Sequence, residues 1–530
     1  MSLVDVEDLT ITVQAAPVVE NVRFEIDPGA GLGIVGRSGS GKTLIALAIA
    51  GLLPDVALRS GTVRLDGAPQ PLDDAALVRL LGSRIGVIPQ NAEAALNPLM
   101  TAGEQLEEVV ALGREEADTR QRVAELLAEV GLESPLSGLY PDALTRGQRQ
   151  QVMIAMALAA EPELLIADDP VAALDPPARR RVLDLFKARC SGRNMGLLFI
   201  SHDLKAVSAL CSEVIILDGG RIVEQGPLAD VLGRPQEDLT RELVAAGKHR
   251  ARTLMRSPIG TGFLEVTELT RSFPMPRRLP WRPSRTLAAL DAVSFSVRRS
   301  ECLAIVGPAG CGKTTLARTI AGLDRASKGR LAMGRLSYRG TDLPKALRRD
   351  ITMVFQEPLG SFNPRLTVGE SVTEPLRLEP QLILEEQADR LVEVIRAVGL
   401  SPDVLTRYPD AFAVGDIQRL AFARALISKP RLVIFDEPVA ALDVSLRGEM
   451  LMLLNRLRAD FGFTCVVTSR DLDLVRAIAD RVLVMDKGRI VESGKPADLI
   501  EAPRHPLTQA LVEARLPEVA EAVRAPAVAE

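Results

Sequence analysis

At 530 residues the chain is too long for a single hydrophobic core, and about two to four domains are expected. Apolar residues make up 47% and charged residues 25%, an ordinary globular balance. Lys and Arg total 64 against 69 Asp and Glu, a net charge of −5, which does not suggest the concentrated basic surface of a nucleic-acid binder, and an aromatic content of only 3% further disfavours base-stacking platforms.

The N-terminal run MSLVDVEDLT has neither the basic start nor the apolar core of a signal peptide. Every apolar run stops well short of the ~20 residues that cross a bilayer. The first strand, LGIV, runs into GRSGSGKT (Gly36 to Thr43) and then into the apolar helix LIALAIAGLL. G-x-x-x-x-G-K-[ST] between a strand and a helix is a phosphate-binding loop. Its glycines let successive N–H groups face an anion, and the helix start adds partial positive charge. Gly36, Ser38, Gly39, Ser40, Gly41 and Lys42 are the expected phosphate contacts, and Thr43 the expected Mg²⁺ ligand. Gln90 follows in PQNAEAALNPLMT, and LTRGQ (Leu144 to Gln148) opens a helical stretch. LLIADDPVAALD, from Leu164, ends an apolar strand in two acids. Asp168 is placed to serve the metal, and Asp169 to orient and deprotonate an attacking water. LLFISHD then brings His202.

Residues 247–262 (GKHRARTLMRSPIGTG) are basic, carry Gly and Pro, and lack apolar periodicity, so they read as a linker. Beyond it the landmarks recur. GPAGCGKT supplies Gly307, Ala309, Gly310, Cys311, Gly312 and Lys313, with Thr315 just after and Thr314 as metal ligand. Gln356 lies in FQEPLGSFNPRLT, FAVGD spans Phe412 to Asp416, LVIFDEPVAALD carries Asp436 and Glu437, and CVVTSRD carries Arg470. The lysines stand 271 residues apart, the first acids 268 and the glutamines 266, so the chain is a duplicated domain. Alternating strands and helices in each copy predict parallel α/β sheets. The expected division is 1–246, linker 247–262, 263–515, and a disordered or weakly helical tail at 516–530. The five cysteines, Cys190, Cys211, Cys302, Cys311 and Cys465, are scattered without a Cys-x-x-Cys pair, which argues against a disulfide framework or zinc site and fits a reducing cytoplasm.

On these residues the chain resembles, over nearly its whole length, a tandem pair of ATP-binding-cassette ATPase domains. The resemblance implies an α/β fold of two P-loop ATPase domains, each with a RecA-like α/β core, an antiparallel β subdomain and a helical signature subdomain. It implies ATP and Mg²⁺ as cofactors, with Gln90 and Gln356 joining Thr43, Asp168, Thr314 and Asp436 near the metal. D-loops are implied at Ala173, Leu174 and Asp175 and at Ala441, Leu442 and Asp443. Two cassettes of one chain, rather than a homodimer, would close face to face over two ATP molecules. Each site would borrow the signature of the opposite cassette: Thr145, Arg146, Gly147 and Gln148, or Ala413, Val414, Gly415 and Asp416. The segments after the two glutamines are similar to the Q-loop region of peptide and nickel importer cassettes. The runs RPQEDLTRELVAAG and PRHPLTQALVEARL are similar to that subfamily's C-terminal extension. Cysteines that could hold an iron–sulfur cluster in some of its members are missing from these runs, so no cluster is expected.

The copies depart from the family pattern unequally. The signature is Leu-Ser-Gly-Gly-Gln; LTRGQ keeps a hydroxyl in Thr145 but has Arg146 in place of a glycine. FAVGD loses the hydroxyl at Ala413, adds bulk at Val414 and puts Asp416 near phosphates. The switch histidine is His202 in the first copy and Arg470 in the second, which stays charged but can bind phosphate. Aligning VEDLTITV with VTELTRSF sets Val13 against Phe273, whose ring can stack on adenine. Site one thus combines Lys42, Gln90, Asp168, Asp169 and His202 with FAVGD. Site two combines Phe273, Lys313, Gln356, Asp436, Glu437 and Arg470 with LTRGQ. Asp169 is one methylene shorter than Glu437, and a misplacement of about 1 Å costs about 10²-fold in rate. Site two is therefore expected to hydrolyse ATP and site one mainly to bind it, although loss of the histidine at site two pulls the other way.

The expected role is the fused ATPase subunit of a bacterial importer of the peptide/nickel type, peripheral on the cytoplasmic face of the cell membrane. Its partners would be two transmembrane permease subunits contacted near the Q-loops and an extracellular solute-binding protein, with no nucleic acid. Loop 274–286, basic and holding the one tryptophan, reads as a solvated loop, with anionic lipid or a membrane subunit as the alternative contact. Two other classes stay open. One is a soluble tandem-cassette factor acting on ribosomes or DNA, disfavoured by the short linker and the lack of zinc-spaced cysteines. The other is a nucleotide sensor whose sites do not turn over.

Overall fold

The computed structural model describes residues 2–37, 39–70, 74–81, 83–111, 116–247, 262–274, 286–440, 442, 444–517 and 519. Ser38, Ala441, Asp443, nearly all of the 247–262 linker and of loop 274–286, and residues 520–530 lie outside the described residues. The described chain forms two compact units, the first from 2–247, 444–445 and 514–519, the second from 262–442 and 446–513.

In the first unit β1 (Val4–Val13) and β2 (Ala16–Ile26) make a hairpin, followed by β3 (Gly31–Gly36), β4 (Ala57–Leu65), β5 (Ala68–Pro69) and β6 (Ile85–Ile88). Further on come β7 (Leu164–Asp168), β8 (Gly196–Ile200), β9 (Glu213–Asp218) and β10 (Arg221–Pro227). They assemble into an antiparallel sheet of order β2-β1-β4-β5 and a six-stranded sheet of order β10-β9-β3-β8-β7-β6. The second sheet is parallel from β9 to β6, with β10 antiparallel at its edge. β3, β7 and β8 are buried along their whole length, as parallel strands covered on both faces must be. β1 buries Val4, Val6, Leu9 and Ile11, and a bulge at Asp8 (φ 50°) turns the strand so that Leu9 rejoins the buried face.

The second unit repeats this plan. Its strands are β11 (Leu264–Pro274), β12 (Thr286–Val297), β13 (Cys302–Val306), β14 (Lys328–Met333) and β15 (Leu336–Tyr338). They continue with β16 (Ile351–Val354), β17 (Leu432–Asp436), β18 (Thr464–Ser469), β19 (Arg481–Asp486) and β20 (Arg489–Gly494). The sheet orders are β12-β11-β14-β15 and β16-β17-β18-β13-β19-β20, and the bulge recurs at Glu268 (φ 47°). Between β6 and β7, and between β16 and β17, helices make a third part. Leu106, Leu126 and Ile154 are buried there in the first unit, and Val368, Ile395 and Leu420 in the second. Each unit therefore has the expected α/β core, antiparallel sheet and helical part.

The strand order fixes where chemistry can occur. β3 lies beside β8, and β8 beside β7, so the phosphate loop, the two acids and His202 all leave the carboxyl ends of neighbouring strands, where ligands bind in open α/β sheets. β13, β18 and β17 do the same for the second set.

One carboxylate in each unit fastens the C-terminal extension. Glu224 accepts the amides of Gln236 (3.1 Å) and Glu237 (3.2 Å) before helix Asp238–Gly247. Glu492 accepts those of Arg504 and His505, both at 3.0 Å, before helix Pro506–Glu513. The end of the chain differs from the tail that its composition suggests. Leu516 and Val519 are buried in the first unit's cluster, together with Leu239 and Val244.

Replacing Glu492 with Ala removes a charged acceptor from two backbone donors, a loss of about 1 kcal/mol for this partly exposed group. Amide hydrogen exchange across 504–513 is expected to speed up severalfold. Unchanged exchange would mean that packing of Leu511 alone holds the helix.

Candidate nucleotide sites

Both phosphate loops are closed around their own lysine. Gly36 ends β3 where a Cβ would stand 2.1 Å from the carbonyl oxygen of Leu217, and Gly41 takes φ 97° just before Lys42. Gly307 and Gly312 repeat this, 2.2 Å from the Met485 carbonyl and at φ 106°, and only glycine suits either position. Lys42 Nζ donates to the carbonyls of Gly36 (2.9 Å) and Arg37 (2.7 Å) and to Ser40 Oγ (3.3 Å). Thr43 donates to Asp168 Oδ2 at 2.6 Å, tying the phosphate-loop helix to the end of β7.

A cavity of about 330 Å³ in front of this loop is lined by Gly39, Gly41, Lys42, Thr43, Gln90, Asp168, Asp169 and His202, with Val18 and Leu44. The first eight are residues expected from sequence, drawn together from four separate segments. Ser40, 4% exposed, lies beneath the loop. Val18 and Leu44 carried no sequence signal. Val18 reaches the site because the β1–β2 hairpin lays its carbonyl beside Gly41, whereas the sequence comparison had pointed to Val13.

Asp169 follows β7 in a left-handed conformation (φ 50°), a strained choice for a non-glycine residue. Its amide bonds the Ile200 carbonyl at 2.8 Å. Its carboxylate accepts Ser201 Oγ at 3.1 Å and meets His202 Nδ1 at 2.7 Å. Burial pushes the Asp168 carboxyl above its ordinary range, and the charge of Asp169 adds to this, while the Thr43 hydrogen bond and Lys42 oppose it. A divalent cation facing Asp168 and Thr43 would favour the ionised form, so the donor set fits Mg²⁺.

In the second unit Lys313, 4% exposed, donates to the carbonyls of Gly307 (2.8 Å) and Pro308 (2.9 Å), with Cys311 Sγ at 3.9 Å where the first loop has Ser40. Thr314 donates to Asp436 Oδ1 at 3.2 Å. Burial raises the Asp436 carboxyl, against hydrogen bonds from Thr468 and Thr314. Thr468, absent from the sequence expectations, is the second anchor: its hydroxyl donates to Asp436 at 2.6 Å and accepts the Glu437 amide at 2.9 Å. It pairs with Asp436 in the sheet as Ile200 pairs with Asp168, so the two sites differ here as well. Glu437, again left-handed (φ 45°), receives Arg470 Nε on Oε1 at 2.9 Å and Gln356 Nε2 on Oε2 at 3.1 Å.

The remaining expected residues lie apart from the cavity of the first unit. Thr145 caps helix Arg146–Ala159, its hydroxyl accepting the Gln148 amide at 3.3 Å while Gln148 Oε1 accepts the Thr145 amide at 2.9 Å. Helix Val414–Leu426 starts at Ala413 without a side-chain cap and leaves Val414 54% exposed. Asp175 caps helix Pro176–Arg193 through the Ala178 amide at 3.0 Å, and Leu174 and Leu442 are buried. Phe273 carries the Arg271 guanidinium 4.5 Å above its ring.

A profile of the ABC transporter family matches residues 19–172 and 290–440. The chain belongs to that family. It is 36% identical over 526 residues to the peptidoglycan transport ATP-binding protein YejF of Agrobacterium fabrum, spanning 97% of this chain and 96% of that protein. It is 35% identical over 559 residues to the glutathione import ATP-binding protein GsiA of Escherichia coli K12, spanning 96% and 89%. Among solved structures, the dimeric post-hydrolysis state of the ATP-binding cassette MJ0796 with ADP and Pi is 28% identical, covering 44% of this chain and 98% of its own, at a TM-score of 0.39. This ABC chain is a two-cassette, ATP-binding ATPase coupled to solute transport, and the resemblance to the peptide-type importer ATPases extends over its whole length.

Thr468→Val keeps the volume but removes the acceptor of the Glu437 amide and leaves Asp436 Oδ1 with Thr314 alone, a cost of about 1–3 kcal/mol. With Lys42→Ala silencing the other loop, the Mg²⁺ concentration for half-maximal nucleotide binding is expected to rise severalfold. An unchanged Mg²⁺ titration would remove Thr468 from the site.

Proposed function

We propose that this chain is the fused ATPase subunit of a bacterial importer for peptides or a related small solute such as a nickel chelate. It works peripherally on the cytoplasmic face of the cell membrane, where its cassette pair drives two permease subunits docked near the Q-loops and served by an extracellular solute-binding protein. The observation that carries this reading is near full-length similarity to two ATP-binding proteins, one named for peptidoglycan transport and one for glutathione import. No helix among the described residues is long and apolar enough to cross a membrane, which fits a subunit whose channel is supplied by others. Mg²⁺ would be held by Thr43 and Asp168 in one site and by Thr314 and Asp436 in the other, with Gln90 and Gln356 nearby, and no iron–sulfur cluster takes part.

The two sites are proposed to be unequal, with the Glu437 site hydrolytic and the Asp169 site mainly binding. In support, the longer Glu437 side chain reaches Gln356 across the pocket, while Asp169 is turned toward Ser201 and His202. Water activation needs a carboxylate projecting toward the terminal phosphate, and one methylene of reach is about 1 Å. A second reading has its own observation: Asp169 at 2.7 Å from Nδ1 orients His202, which then acts as the base of the first site.

ATPase activity with the membrane partners separates them. Glu437→Gln is expected to lose at least about 10²-fold, and Asp169→Asn less than about twofold. The opposite pattern would make the His202–Asp169 pair the engine. Cofractionation with permease-containing membranes, lost on salt washing alone, tests the peripheral location.

A further inference from the structure

The acid proposed to activate water in the second unit is not free to do so as it stands. Glu437 is 6% exposed, and Oε1 lies between two cations, Arg470 Nε at 2.9 Å and Lys313 Nζ at 3.8 Å. Oε2 accepts Gln356 at 3.1 Å. The guanidinium takes one acceptor position of Oε1 and draws the carboxylate's negative charge toward itself, which makes it a weaker base, and arginine never surrenders its proton to change this. Both cations belong to the types that bind phosphate. Lys313 is 4% exposed and Arg470 only partly exposed, so holding both without an anion would be costly, and Glu437 supplies that anion.

The first unit is built otherwise. His202 stands in place of Arg470, Asp169 turns to His202 and Ser201, and the Lys42 ammonium is engaged by its own loop. The carboxylate–guanidinium pair is peculiar to the second unit.

We propose that Arg470 is a phosphate-released latch on Glu437. The guanidinium holds the carboxylate in the geometry seen here. The terminal phosphate of ATP competes for the guanidinium, which moves to it and frees Glu437 for water. ADP lacks that phosphate and leaves the pair closed. Arg470 is thus a positioning residue that makes the carboxylate available only when there is a bond to cleave. The proposal rests on the hydrolytic reading of this site. It carries a thermodynamic consequence, because part of the ATP binding energy is used to open the latch, lowering apparent affinity.

The experiment uses the full chain with Lys42→Ala, so that only the second loop binds, and measures equilibrium affinity for Mg-AMP-PNP and Mg-ADP. Glu437→Gln, which removes the negative charge that holds Arg470, is expected to tighten AMP-PNP about tenfold and to move ADP less than twofold. Arg470→Gln is expected to weaken AMP-PNP about tenfold with ADP again within twofold, and Arg470→Lys to recover part of the loss. Retained ADP binding reports an intact fold; if Arg470→Gln loses it, the Glu437→Gln comparison decides. AMP-PNP and ADP shifting together, or neither shifting, overturns the latch. Failure of the hydrolytic reading shows elsewhere: Lys42→Ala would then abolish ATPase while Lys313→Ala spares it, and the AMP-PNP to ADP ratio would still report on Arg470.

Discussion

Asp168 and Asp436 sit at the ends of β7 and β17 with 6% and 2% of their surface exposed, and desolvating a carboxylate that far costs several kcal/mol unless something compensates. The compensation organises each unit. A threonine on the phosphate-loop helix donates to the acid, which fixes the helix against the strand and turns the loop's amides toward the same point. For that bond to form, β3 and β7 must flank one common strand, so the doubly covered parallel sheet and the position of the site are one constraint. The raised carboxyls are the cost that remains of this burial, and a divalent cation is the kind of group that would remove it.

Around these shared acids the units diverge in a concerted way. Thr468 replaces Ile200, Glu437 replaces Asp169, Arg470 replaces His202 and Cys311 replaces Ser40, all within reach of one carboxylate pair. The longer acid crosses to Gln356 and Arg470, and its amide needs the Thr468 hydroxyl. The shorter acid stays beside Ser201 and His202, and its amide uses the Ile200 carbonyl. Both acids keep the same left-handed backbone, a strain on the order of 1–3 kcal/mol, so the turn is common to both sites and the side-chain chemistry is what varies.

The legible parts of the sequence were those encoded over short spans. Lys42, Thr43, Asp168, Asp169 and His202 are set by a few residues of strand–loop spacing, and they line one cavity. The parallel α/β sheets followed from strands and helices alternating in two copies, and the antiparallel sheet and helical part from the family resemblance. Val18, Leu44 and Thr468 were not legible, because sheet register brings them to the site. Thr468 faces Asp436 only through the β17–β18 pairing, 32 residues away, and a threonine in a strand looks like any β-branched core residue. Leu516 and Val519 were misread for a related reason: an Ala- and Glu-rich run gives no hint of the surface that will cover its two apolar side chains.

Proton chemistry makes the two sites different in kind. Imidazole can accept a proton near neutrality and is oriented here by a carboxylate, so on the second reading proposed above the acid of the first unit would act through the histidine. Guanidinium cannot, so in the second unit any proton taken from water must end on Glu437 or on the phosphate itself. A carboxylate that must accept the proton needs reach and a free oxygen. One that only orients a histidine needs neither, and a shorter side chain holds the ring more firmly. The extra methylene of Glu437 and the charge of Arg470 therefore belong together: reach brings the carboxylate into the pocket, and a fixed positive charge keeps it from acting before a phosphate arrives.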